Sequence, residues 1–105
     1  MGTINKERIL EVGKEKIAEV LNDNIQRTGM LHGKHLSLEE RGKCYYYPEN
    51  IKEEILLKEG YGLDSLDTYE VGFNFEEVLG IAIPDAIMGE MKSLHDYVEY
   101  IHANQ

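Results

Sequence analysis

Residues that start and stop helices divide this chain into short segments, and they constrain its fold more than any other feature. Asp64 precedes a run that ends at Gly80, and both residue types are preferred at those two helix positions. Ser37 opens a capping-box pattern, and Pro48 and Gly60 bound another run. No segment alternates apolar and polar residues as a half-buried strand does. The pattern predicts an all-α fold.

The same signals give the expected extent of each helix. We expect helices over residues 4–21, 49–59, 65–79, 84–89 and 92–103, with residues 22–36 as a loop. Thr3 or Asn5 would cap the first helix, and Ser93 or Lys92 would open the last. The last helix should bury Leu94, Tyr97, Val98 and Ile101. A chain of 105 residues is long enough for one domain, which we place at 1–105.

The cysteine and the terminal sequence bear on the compartment. Cys44 is the single cysteine, so no disulfide within the chain is possible and a reducing compartment is expected. The first ten residues contain no apolar signal run, and no window is apolar enough to span a membrane. These features predict a cytoplasmic protein without membrane insertion.

The negative charge is concentrated in the C-terminal part of the chain. There are 11 Lys and Arg against 20 Asp and Glu, a net charge of −9. Residues 61–105 contain nine acids and a single cation, Lys92, whereas the first 60 residues are nearly balanced. Such a field opposes nucleic acid and anionic membranes and favours a basic protein partner. The alternative is that the charge serves solubility alone.

The helix expected at 65–79 has an acidic face. At about 100° per residue, its polar residues fall on one strip, formed by Asp67, Glu70, Asn74 and Glu77. Leu66 and Phe73 border this strip, seven residues apart. They form either a mixed apolar and acidic docking patch or a contact beneath a loop.

The opposite face of this helix is apolar and points to the core, through Val71, Phe75, Val78 and Leu79. Gly72 lies in the middle of the helix, where glycine costs about 1 kcal/mol relative to alanine. It either gives room to another helix or a guest between helices, or is a weak point.

Ser65 opens this helix, but its surroundings are not those of a catalytic serine. Such a serine needs a base and an oxyanion hole, and Gly-Leu-Asp-Ser-Leu is not a nucleophile elbow. Acids on either side oppose the negative charge that develops during attack. No histidine lies near it in sequence: the four are His32, His35, His95 and His102.

Other chemical sites are poorly supported. His32 and His35 with Cys44 lack a fourth metal ligand close by, so a solvated loop is favoured and no metal site is expected. The run at 22–24 does not continue as a calcium loop, and the chain has no glycine-rich phosphate loop. Cys44 follows the pattern of a packed residue rather than a nucleophile.

Three motifs together resemble a known family. Asp-Ser-Leu-Asp-Thr at 64–68 is followed by Ile-Pro-Asp at 83–85 and by Asp-Tyr-Val-Glu-Tyr-Ile at 96–101. In this order and spacing, from Asp64 to about Ala103, they resemble the acyl carrier proteins. The resemblance implies a four-helix bundle, here with an enlarged loop over 22–64 that carries the extra helix.

The resemblance also implies a function and a cofactor. Ser65 would be the attachment point of 4′-phosphopantetheine, which a separate transferase moves from coenzyme A, and Asp64 would help to hold that enzyme's metal ion. The protein itself would be a non-catalytic monomer. It would carry acyl groups as thioesters to enzymes of fatty-acid, lipid or polyketide-type synthesis.

Two further groups of residues acquire roles from the resemblance. Residues expected to dock on acyl-processing enzymes with basic patches are Leu66, Asp67, Glu70, Phe73, Glu76, Glu77 and Asp85. Residues expected to line the cleft for an acyl chain, or alternatively to form plain core, are Val71, Phe75, Leu79, Ile83, Ile87 and Met91.

The chain also departs from the family pattern. About 40 residues separate Leu21 from Ser65, and Leu-Lys-Glu-Gly-Tyr-Gly-Leu replaces the family's usual aromatic and Asp-Leu-Gly approach to the serine. These departures indicate either a specialised carrier or a loop expansion that the fold tolerates. A second interpretation is a carrier-like helical binding module that is never phosphopantetheinylated.

Overall fold

The computed structural model of the protein describes residues 4–31 and 34–105. Over these residues the fold is mostly helical, with five α-helices and one short hairpin. The elements are α1 (Lys6–Thr28), β1 (Met30–Leu31), β2 (Lys34–His35), α2 (Leu38–Lys43), a 3₁₀ turn (Pro48–Asn50), α3 (Ser65–Leu79), α4 (Asp85–Met88) and α5 (Leu94–Ala103). The all-α expectation is therefore confirmed for the helices and wrong for the hairpin.

Helix α1 is longer than the sequence pattern predicts. Its start is capped by Asn5, whose side chain accepts a hydrogen bond from the Arg8 backbone N–H at 2.8 Å. Its predicted end at Leu21 is wrong, because Ile25 adds a fully buried position one turn later. The helix stops at Gly29, whose φ of 67° is the left-handed value favoured at a helix C-terminus. Thr3, the other predicted cap, lies outside the described residues.

The segment predicted as a loop contains regular structure instead. Residues 22–28 complete α1, and β1 pairs with β2 antiparallel, with Met30 opposite His35. Helix α2 follows and has the capping box expected at Ser37. This region is tied back to α1 by the Asn22 side chain, which bonds both the N–H and the carbonyl of Tyr46 at 2.8 Å.

The prediction of a helix over residues 49–59 is wrong. Only the 3₁₀ turn at Pro48–Asn50 forms, and the chain then continues through non-helical turns. Ile51 and Leu57 are both buried, yet on a helix six residues apart they would point roughly 120° from each other. The Leu57 backbone N–H instead donates to the Lys92 carbonyl at 2.8 Å. Tertiary hydrogen bonds to the start of α5 thus replace helical ones.

The later helices lie close to their predicted positions. Helix α3 has the predicted bounds, whereas α4 and α5 are each two residues shorter than expected. The predicted inner face of α5 is confirmed, since all four of its residues are buried. Val78, predicted to face the core, is 40% exposed on α3, so that expectation is wrong. The apolar strip of α3 is narrower than the pattern indicates.

The core lies between α1, α3 and α5. Phe75 and Tyr97 are fully buried, and their ring centroids are 5.2 Å apart. Gly13 on α1 permits close approach, because a Cβ there would lie 2.9 Å from the Phe75 ring and closer still to Leu94. Ile51, Leu57 and Leu63, from the segment between the 3₁₀ turn and α3, complete this cluster.

Candidate functional site

The start of α3 is held by reciprocal hydrogen bonds. The Asp64 carboxylate accepts the Asp67 backbone N–H at 2.8 Å, and the Asp67 carboxylate accepts the Asp64 N–H at 3.1 Å. The Asn24 side chain of α1 also donates to the Asp67 carboxylate at 3.0 Å. These bonds fix the turn in which Ser65 is the first helical residue.

The hydroxyl of Ser65 is available, unlike those of the other two serines. Ser37 caps α2 and Ser93 caps α5, each accepting a backbone N–H through its hydroxyl. At α3 the capping role belongs to Asp64, and the Ser65 hydroxyl has no hydrogen-bond partner among the described residues. Ser65 is also exposed. Its oxygen is therefore open to a reagent from outside.

The backbone at the start of α3 favours an added anion at Ser65, although the Asp64 and Asp67 carboxylates of the same turn oppose one. The first backbone N–H groups of a helix have no helical acceptor, and the helix dipole is positive at this end. Phosphate groups bind at helix starts for these two reasons. Helix α3 is 15 residues long, so this contribution is that of a full helix.

Tyr97, on the buried side, supports the same turn through a hydrogen bond. Its hydroxyl donates to the Thr68 backbone carbonyl at 2.8 Å, which joins α5 to the first turn of α3. Burial raises the pKa of the Tyr97 phenol well above its ordinary value, with a smaller contribution from Tyr69. The phenol therefore stays protonated and remains a donor throughout the neutral range.

A cavity of about 570 Å³ opens beside Ser65. Its size falls within the range of small-molecule sites, about 300–1,000 Å³. Apolar parts of its wall come from Leu56, Leu57, Leu63, Met88 and Met91, and polar parts from Lys58, Glu59, Asp64, Ser65, Thr68, Tyr69 and Lys92. Gly89 also lines it. The site thus combines a free hydroxyl with an adjacent half-open cavity.

The residues predicted to line an acyl cleft are distributed differently. Of the six, only Met91 borders this cavity. Val71, Phe75 and Ile83 are buried in the core, and Leu79 and Ile87 pack partly buried against it. Their role toward an acyl chain stays a prediction.

Several residues of the cavity wall are missed by the sequence pattern. The sequence pattern places Leu57 in a helix that does not form, so periodicity does not place it beside Ser65. Met88 carries no local signal. Tyr69 has a weak one, because it lies four residues after Ser65 and therefore one turn along the same face of α3.

The predicted docking face divides into free and engaged residues. Leu66 is 78% and Phe73 52% exposed, and Glu70, Glu77 and Asp85 are exposed as well. Asp67 is engaged in the α3 cap. Glu76 accepts the Ile83 backbone N–H at 2.8 Å and so holds the loop after α3. The docking role of all seven residues stays a prediction.

The residues considered for a metal site are only partly described. His32 lies outside the described residues, His35 is exposed on β2, and Cys44 is half-buried. Within 4–31 and 34–105, no three His, Cys, Asp or Glu side chains are grouped as metal ligands. In the same ranges, no helix combines the length and apolar character needed to cross a membrane.

Comparison with known proteins assigns a family. No protein-family model matches the chain. It is 40% identical to the acyl carrier protein of Wolinella succinogenes over 58 residues, which are 55% of this chain and 76% of that protein. It is 37% identical to the acyl carrier protein of Porphyromonas gingivalis over 54 residues, 51% of this chain and 69% of that protein.

The similarity extends to eukaryotic proteins. The mitochondrial acyl carrier protein of Neurospora crassa is 44% identical over 54 residues, 51% of this chain and 40% of that protein. Identity at this level over more than two thirds of a bacterial relative shows common descent. The chain belongs to the acyl carrier protein family. Each of these alignments covers about half of this chain.

Proposed function

We propose that this protein carries acyl groups as thioesters on a 4′-phosphopantetheine arm attached to Ser65. The observation that supports this most directly is the free, exposed Ser65 hydroxyl at the start of a 15-residue helix. Attachment needs an accessible hydroxyl rather than an internal base. The serine oxygen bonds to the pantetheine-side phosphorus of coenzyme A, the P–O bond of the pyrophosphate bridge breaks and 3′,5′-ADP leaves. The transferase takes the serine proton.

The residues around Ser65 fit such a group. The helix start provides unpaired N–H donors for the phosphate. Lys58 and Lys92 border the same cavity and offset the charge that a phosphodiester adds beside Asp64. When bound, the arm supplies a thiol that forms thioesters. We assign the cavity to the arm and to the first part of the acyl chain, and Asp64 to the transferase's metal ion during loading.

The remaining expectations form part of the same proposal. Helices α1, α3, α4 and α5 make the four-helix bundle, α2 and the hairpin belong to the enlarged loop, and residues 1–105 form one monomeric, non-catalytic domain. The compartment stays a prediction, since the relatives include bacterial and mitochondrial proteins. The pathway is fatty-acid, lipid or polyketide-type synthesis.

The docking face is tested by charge reversal. Glu70→Lys with Glu77→Lys reverses two exposed acids on α3, and Glu7→Lys with Glu15→Lys makes the same change on the exposed side of α1. We expect slower transferase loading at low salt for the α3 pair and little change for the α1 pair. Equal loading rates for the two pairs would remove the acidic face from the proposal.

The carrier function itself is tested by intact mass. The protein is incubated with coenzyme A, magnesium and a broad-specificity phosphopantetheinyl transferase. We expect a mass gain of one phosphopantetheine group in the wild type and none in Ser65→Ala. A wild type that gains nothing favours the unmodified binding module instead, and a gain that persists in Ser65→Ala places the site elsewhere.

A further inference from the structure

At the contact of α3 with α4, the Met88 side chain fills the space that the missing side chain of Gly72 leaves free. Gly72 is buried in the middle of α3. A Cβ built there would lie 2.7 Å from the Met88 sulfur and 3.0 Å from its Cγ. Real Cβ atoms do not approach other atoms so closely, so the Met88 side chain uses the volume that any other residue at 72 would fill. The helix-weakening glycine thus has a packing role.

Met88 belongs to two environments at once. It is fully buried and part of the core cluster with Val71 and Phe75. It also borders the cavity beside Ser65, which those two residues do not reach. Met88 therefore lies between the cavity and the core of the protein.

Tyr69 completes this inner wall. It borders the cavity one turn after Ser65, and a Cβ built at Gly89 would lie 2.8 Å from its hydroxyl. The residue after Met88 is thus packed against a bulky side chain from α3.

We propose that Met88, seated against Gly72, closes the inner end of the cavity and sets the length of acyl chain that the protein shelters. This rests on the proposed carrier function. A straight chain that enters the cavity from Ser65 and reaches Met88 extends further only if Met88 swings away. Methionine, unbranched and flexible, is suited to an adjustable wall, but its displacement from Gly72 leaves an unfilled space that opposes the change.

The test measures shielding of the thioester against chain length. Wild type and Met88→Ala are loaded by the transferase from butanoyl-, octanoyl- and dodecanoyl-coenzyme A, and the reaction of each thioester with hydroxylamine is timed. We expect equal butanoyl rates in the two proteins. We expect the dodecanoyl thioester to react several-fold more slowly in Met88→Ala, because the deeper cavity admits more of the chain.

Matched variants separate this effect from a general loosening. Met30→Ala removes the same atoms from a half-buried methionine of β1, away from the cavity, and should leave the wild-type profile unchanged. Gly72→Ala should push Met88 toward the cavity and speed the octanoyl reaction. Met88→Val is a milder enlargement for use if the alanine variant does not fold. A wild-type profile in folded Met88→Ala or Met88→Val would overturn the proposal.

A second readout does not depend on reactivity. The chain has four methionines, so methyl-¹³C labelling gives few signals, which substitution assigns. We expect the Met88 methyl resonance to shift when an octanoyl chain replaces the bare thiol, and Met30 not to shift. An unmoved Met88 signal contradicts the inference. Failure of Ser65 to load at all would instead contradict the carrier function, and the mass measurement detects it first.

Discussion

Helices α2 and α3 both begin with a capping box, but the serine has a different position in each. Both carry a capping box, with the Ser37 hydroxyl accepting the Glu40 N–H at 3.1 Å and the Asp64 carboxylate accepting the Asp67 N–H at 2.8 Å. In α2 the serine is the cap and its hydroxyl is occupied. In α3 an aspartate takes that role, and the serine moves one position into the helix with its hydroxyl free.

The two helices also differ in what lies beneath them. Helix α2 has six residues and none is buried, and its Leu38 is 83% exposed. Helix α3 buries Val71, Gly72 and Phe75 against the core. A cap on a helix without buried residues orders only the local backbone. A cap on a helix packed against the core also fixes the position of that turn relative to the rest of the protein. The difference sets Ser65 apart from the other two serines, because its hydroxyl is free and its helix is packed against the core.

Truncating an apolar side chain should lower the free energy of unfolding much more in α3 than in α2. Phe75→Ala should lower the free energy of unfolding by about 3–5 kcal/mol, because it empties a buried position beside Tyr97. Leu38→Ala should lower it by less than about 0.5 kcal/mol. Urea unfolding followed by circular dichroism measures both. A comparable loss for Leu38→Ala would show that α2 is packed.

A pH effect probes the support beneath Ser65. The buried Tyr97 phenol has a raised pKa, so above pH of about 10 the unfolded chain loses this proton while the folded protein keeps it. The contribution of Tyr97 to the free energy of unfolding is then fully present below that pH. Above it, the free energy of unfolding falls by up to about 1.4 kcal/mol per pH unit.

The control for this pH effect is Tyr97→Phe, which lacks the titrating group. It should be less stable at neutral pH, since the bond to the Thr68 carbonyl is lost. Its stability should then decline less steeply from pH 9 to 11, as measured by urea midpoints. Parallel declines in the two proteins would mean that Tyr97 ionises freely in the folded state.

A smaller effect separates the two serines directly. Ser37→Ala removes a cap and should destabilise α2 by about 1 kcal/mol, seen as faster hydrogen exchange of its amides. Ser65→Ala should leave the exchange of α3 amides nearly unchanged, because Asp64 still caps that helix. Fraying of α3 in Ser65→Ala would indicate that its hydroxyl has a structural role.

The sequence was sufficient where local chemistry decides the structure. The bounds of α3 follow from Asp64 and Gly80, which act on their own turns, and the Ser37 capping box is equally local. The exposure of Leu66 and Phe73 agrees with their places on the helical wheel. The motif at Ser65 was also sufficient for the family, which the comparisons confirm.

The sequence failed where distant contacts decide. The boundary residues Pro48 and Gly60 favour a helix at 49–59. The Lys92 carbonyl and the His95 N–H instead hydrogen-bond to this segment, which forms non-helical turns. The cavity has contributions from 56–65, α3 and the chain around Met88, which no local window joins. Gly72 was recognisable as unusual, but its reason appears only with Met88 beside it.

We propose that the free hydroxyl of Ser65, and not either capping serine, receives the prosthetic group. Trypsin, which cleaves after Lys and Arg, separates Ser37, Ser65 and Ser93 into three different peptides. After transferase loading, tandem mass spectrometry of these peptides locates the added group. We expect it on the Ser65 peptide alone, and its presence on the Ser37 or Ser93 peptide, or on none of the three, would contradict the claim.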